Sequence, residues 1–216
     1  MVWIPPLRLQ LTAPSDALVA FAVACAAAPF SGHPPGRIEA PPPLWHVADH
    51  EEAIGQGGEA YRRAADALRR LDCMQLDWLR ATVQGDVLAI CSRQFGLVWL
   101  MNANRLLPTE EASGCGPDCV AMSWGTTARH VRSRASVEPG PPSRAGREPT
   151  PTRAQVLAGE ERLTVRWDRA TDAVHFRVRS YSRPRHPFAV LAYPVVRLQQ
   201  RRFARDAVEA MRRACG

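Results

Sequence analysis

Four side chains in this sequence are of the kinds that move protons or hold a polar ligand: His130, Glu160, Glu161 and Ser182. Glu161 shares strand parity with Leu163, Val165 and Trp167, which places it on the apolar face of the strand those residues predict. Ser182 shares the parity of Val174, Phe176 and Val178. If the segment between His130 and Gly159 loops out, the strands flanking it become hairpin neighbours and His130 lies near Glu161. An inward carboxylate beside an imidazole raises the histidine's pKa and can shift protons. The alternative reading is a hydrogen-bonded polar plug or a strand-end cap. No third residue completes a triad and no nucleophile stands out. The reading therefore leans away from an enzyme and assigns no catalytic residue. Acid/base chemistry by His130 and Glu161 is the third and weakest option.

Other motifs carry less. Gly55-Gln56-Gly57-Gly58 ahead of a helix could offer backbone N–H groups to a phosphate, but without a dinucleotide-fold context a tight turn is the better reading. Cys115 and Cys119 are one residue too far apart for a redox pair, and no second pair completes a zinc site, so a plain surface loop is expected and no metal. No cofactor is implied. Trp78, Trp99, Trp124 and Trp167 fall in expected strands and either wall an apolar pocket or fill an ordinary core. Arg162, Arg166, Arg177 and Arg179, with His175, form an outward row on two paired strands. Such a row could bind the phosphates of nucleic acid or an anionic membrane surface, or be a solvated face.

These residues need elements to position them. Ser15 and Asp16 start a helix over the apolar run Ala17–Ala28, a run that also has the look of a signal-peptide core. Phe30–Pro43, rich in Pro and Gly, is an extended connector. From Ile54 an amphipathic helix is expected, with Tyr61, Ala64, Ala65, Leu68 and Leu71 on one face. Strands are expected near Leu76–Val83, Val87–Ser92, Leu97–Leu107, Asp118–Thr127, Leu157–Asp168 and Asp172–Ser182. The last two form a hairpin with one apolar and one basic face, as in an antiparallel sheet wet on one side. A helix from Pro194 to Arg213 ends the chain, with Pro194 at its first position. Val131–Gln155, with many Pro, Gly and Arg and almost no large apolar residue, reads as a disordered insertion.

With 46% hydrophobic and 23% charged residues among 216, the chain can build one ordinary globular core, and the class is α+β. All 28 basic residues are arginine, which reads as codon bias in a GC-rich genome more than as chemistry. Six scattered cysteines argue against a secreted disulfide framework, so a soluble intracellular protein is favoured, with organelle targeting as the alternative.

Several runs taken together carry a family resemblance. They are Ile54-Gly55-Gln56-Gly57, Leu76-Asp77-Trp78, Trp124-Gly125-Thr126 with His130, and Leu157-Ala158-Gly159-Glu160-Glu161. Tyr181-Ser182-Arg183-Pro184, Tyr193-Pro194-Val195-Val196-Arg197-Leu198 and Arg202-Phe203-Ala204-Arg205 complete the set. On these the chain resembles the uncharacterised protein family UPF0548, defined by the DUF1990 domain, in its plant-type form. The likeness covers a domain from about residue 44 to 215, preceded by the helix and connector of residues 1–43, and departs from the family at the insertion 131–155 and at Arg129. It implies a fold and no activity. The order of elements is similar to helix-grip folds, in which a curved antiparallel sheet packs on a long C-terminal helix. Such a fold can leave a cavity, so a small apolar ligand between sheet and helix is the leading functional expectation. Candidate lining residues are Trp78, Trp124, His130, Glu160, Glu161, Trp167 and Ser182.

Overall fold

The computed structural model describes residues 15–30, 36–94, 98–108, 116–127, 157–184 and 187–216. Its elements in chain order are α1 (Ser15–Ala24), β1 (His46–Gln56), α2 (Gly57–Arg69), a 3₁₀ turn (Asp72–Met74), β2 (Leu79–Gln84), β3 (Val87–Gln94), β4 (Val98–Leu106), β5 (Cys119–Thr126), β6 (Leu157–Asp168), β7 (Ala173–Pro184) and α3 (Pro187–Cys215). The strands form one sheet in the order β1-β7-β6-β5-β4-β3-β2, antiparallel at every pairing.

The two faces of this sheet are covered differently, and the strand period of two decides which residue goes where. On the inner face, Leu79, Ala81, Leu88, Trp124, Leu163, Val165, Val174, Phe176 and Val178 pack with α2, the 3₁₀ turn and α3 into the main core. From α3 that core takes Phe203, Ala204, Ala207, Val208, Met211 and Cys215. On the outer face, Val87, Ala89, Cys91, Trp99 and Ala103 meet Leu18 and Ala22 of α1 and Cys25 just after it. Those three residues recur at helical spacing, so the apolar run near the N-terminus forms a packed helix in this fold.

Three elements begin elsewhere than the sequence suggests. The helix expected from Ile54 starts at Gly57, because His46–Gln56 is a strand. That strand is full of polar residues and carries no apolar run, so periodicity alone passes over it. It exists because β7 offers it a free edge and because its outward Asp49 and Glu51 meet arginines there. Gly57 makes the turn from strand to helix at φ +83, and its N–H is donated to the Asp172 carbonyl at 2.9 Å. That N–H is thus spent on the turn. The second change is at the C-terminal helix, which starts at Pro187 and contains Pro194 in its interior. Strand β2 also starts later than expected, at Leu79, which leaves Trp78 in the turn before it.

The outer face of β6 and β7 is not bare. The connector lies across it: Ile38 is buried there, Trp45 meets Tyr181 edge-on at 5.4 Å, and the Arg37 N–H is donated to Glu160 Oε2 at 3.0 Å. The wet basic face expected on these strands is covered only in part, and Arg166 stays exposed. Arg162 is buried, donating to Ser123 Oγ at 2.8 Å and to Glu39 Oε1 at 3.0 Å. Arg166 pairs with Glu51 at 3.0 Å, while Arg177 and Arg179 both reach Asp49. Arg179 also donates to the Ile38 carbonyl at 3.0 Å. The row of arginines anchors the connector and β1 to the sheet.

Candidate functional site

The register of three strands builds the site. Trp124 of β5 lies opposite Glu161 of β6, and Glu161 lies opposite Ser180 of β7. All three therefore share the inner face, one row above the closely packed Leu163 and Val178. One row further, Gly159 faces Ser182, and the Tyr193 hydroxyl of α3 donates to the Ser182 carbonyl at 3.1 Å and stands 3.3 Å from its Oγ. Gln200 of α3 reaches the same Ser182 Oγ at 3.5 Å. Polar groups thus line the inner face where the N-terminal half of α3 crosses it.

Glu161 is the unusual member. Loss of hydration pushes its carboxyl up to about 7. Yet the residue is only half-buried. Among the described residues no hydrogen bond or ion pair reaches it. The Cys73 thiol of the 3₁₀ turn lies near enough to feel its charge, and burial pushes that thiol up to about 12, so it stays protonated. At the rim, His46 meets Tyr193 edge-on at 6.1 Å, and its pKa is lowered by burial and by the charges of Arg197 and Arg201.

Beside this row, the inner face keeps apolar surface uncovered. Ile90, Leu106, Val120 and Met122 stand on central strands, point the same way as the core, and remain only partly buried.

The expected residues separate under this geometry. Glu161, Trp124 and Ser182 come together on the inner face. Glu160 turns outward, as its parity requires, and holds the connector. Trp78 is buried against α3, its Nε1–H donated to Asp206 Oδ2 at 2.8 Å with the Arg202 guanidinium over its ring. Trp167 lies towards the opposite end of the sheet, stacked on Tyr61 at 6.0 Å with Nε1–H donated to Asp172 Oδ1 at 3.0 Å. Trp99 belongs to the outer face. His130 and the segment 131–155 lie outside the described residues. Cys119, expected in a plain loop, is disulfide-bonded. Ser180, Tyr193 and the partly covered Ile90, Leu106, Val120 and Met122 were missed. Ser180 could have been found by extending the β6–β7 hairpin register back from Val178, whereas Tyr193 had no signal because its strand partner is set by how α3 crosses the sheet. Among the described residues no group of three or more His, Cys, Asp or Glu side chains is placed to hold a metal ion. No helix among them is long and apolar enough to cross a membrane.

A seven-stranded antiparallel sheet in this order, holding a long C-terminal helix against its inner face, defines a helix-grip α+β protein. The chain belongs to the DUF1990 family: the profile described as "Domain of unknown function (DUF1990)" matches residues 31–133 and 153–210, passing over 134–152. A UPF0548 protein of Arabidopsis thaliana is 26% identical over 165 residues, covering 73% of this chain and 67% of that one. A UPF0548 protein of Dictyostelium discoideum is 26% identical over 178 residues, covering 76% and 69%. Among solved structures, a hypothetical protein from Helicobacter pylori aligns with TM-score 0.47 and 11% identity over 82% of this chain and 92% of its own. An aromatase/cyclase from Streptomyces sp. R1128 aligns with TM-score 0.42 and 11% identity over 78% and 95%.

Proposed function

We propose that the protein binds a small, largely apolar molecule in a hollow between the inner face of the sheet and α3. The observation that carries this reading is the partial exposure of Ile90, Leu106, Val120 and Met122. These are inward residues of central strands, and a filled core would bury them as it buries Leu163 and Val165. Apolar walls with a few convergent polar groups are the general character of small-molecule sites. Here the walls are those four side chains with Trp124, and the polar groups are Glu161, Ser180 and Ser182.

The test uses the neutral fluorophore N-phenyl-1-naphthylamine together with native mass spectrometry of the purified protein. The expected result is saturable binding of one probe per chain with a blue-shifted emission. Met122→Trp, which fills the hollow from its wall, should weaken that binding by about tenfold or more. Absence of saturable binding, with no small molecule travelling with the protein in the gas phase, overturns the reading.

A further inference from the structure

Arginine dominates the electrostatics of this chain, and many of its carboxylates are paired with it. Asp49, Glu59, Asp66, Asp118 and Glu209 each have a guanidinium within salt-bridge distance. Glu161 does not. Loss of hydration is the cause given by its surroundings, and no arginine among the described residues bears on it. A polar group withdrawn from water without a partner costs the fold stability, and native interiors rarely tolerate one. The groups beside Glu161 explain what partner would suit it. Ser180, directly opposite on β7, is buried with its hydroxyl unpaired among the described residues. Trp124, directly opposite on β5, presents an aromatic ring in the same row.

From this we infer that Glu161, Ser180 and Trp124 form a subsite for a basic nitrogen, and that the occupant of the hollow is a lipophilic amine. An ammonium group has three donors and no acceptor. A carboxylate and a hydroxyl oxygen supply acceptors, and an aromatic face supplies a cation–π contact. A carboxylic acid would meet a like charge there. A neutral alcohol can satisfy one oxygen but supplies no charge to match the carboxylate. The inference rests on the hollow proposed above and adds the chemistry of what enters it.

Three isosteric probes separate the alternatives by titration calorimetry near pH 8: 1-naphthylmethylamine, 1-naphthylmethanol and 1-naphthoic acid. The wild-type protein is expected to bind the amine about tenfold or more tighter than the alcohol, and the acid weakest. In Glu161→Gln the preference for amine over alcohol should fall to near unity, with the alcohol's own affinity changed by less than about threefold. Equal affinity of amine and alcohol in the wild type, a comparison that needs no variant to fold, overturns the subsite and leaves the hollow standing. A preference for the amine that survives in Glu161→Gln, or tightest binding of the acid, overturns it too. Binding of none of the three overturns both the hollow and its subsite.

Discussion

At Glu161 the sequence supplied the identity and the direction, and the surroundings supplied the chemistry. Its parity with Leu163, Val165 and Trp167 already pointed it inward. That its neighbours across the sheet are Trp124 and Ser180 follows only from two strand registers. The consequence is a pH dependence whose sign can be worked out. In the unfolded chain the carboxyl ionises near its ordinary value of 4.5, and in the fold near 7. Between those values the folded state keeps a proton that the unfolded state has lost, so stability falls as pH rises through that window and stays lowered above it. The Cys73 thiol nearby remains neutral throughout and does not alter the sign. Glu161→Gln removes this dependence. Urea unfolding should show the variant more stable than wild type by ~2 kcal/mol at about pH 8 and no different below about pH 4. A variant less stable than wild type at the higher pH would contradict the enclosed, unpartnered placement of the carboxyl.

At the scale of elements, β6 and β7 pair along their whole length, and Gly159 shows how tightly they are joined. A Cβ at that position would stand 2.1 Å from the Tyr181 carbonyl oxygen and 3.0 Å from Ser182 Cα. Both obstacles are backbone, so no rotamer change relieves them. Gly159→Ala must therefore push the two strands apart where Glu161 and Ser180 are held, at a cost of ~3 kcal/mol or more. Thermal unfolding would measure it, and an unchanged melting temperature would mean the strands are not paired as described. The hairpin was legible because its apolar and charged residues alternate over its whole length. Strand β1 was not, because its stability is borrowed: Asp49, Glu51 and Glu52 favour an extended conformation only opposite Arg177, Arg166 and Arg212. The start of α3 was misplaced for a related reason. A proline suits a helix's first position, but Pro187 takes that role and Pro194 is accommodated within the helix.

For the whole molecule, the cysteines report on integrity. Cys25, Cys73, Cys91 and Cys215 are buried and not disulfide-bonded, in the outer layer as well as the main core. Burial pushes Cys73 up to about 12 and Cys91 up to about 11, so neither supplies thiolate in the folded state. In native buffer all four should resist alkylation by iodoacetamide, and peptide mass spectrometry should find them labelled together once urea unfolds the chain. Early labelling of Cys25 and Cys91 alone would instead show that α1 leaves the outer face before the main core opens.

What the sequence determined by itself was the α+β class, the antiparallel hairpin of β6 and β7, the packed C-terminal helix and the inward direction of Glu161 and Ser182. Each of these is written in a local period of two or 3.6 residues. Tertiary structure alone decided that the arginine row is paired with carboxylates and Arg162 buried, that β1 completes the sheet, that the tryptophans disperse to different sites, and that Glu161 stands beside Trp124 and Ser180. Those outcomes depend on partners far away in the chain. A local pattern says which way a side chain points, but what it meets there is set by the register and layering of other elements.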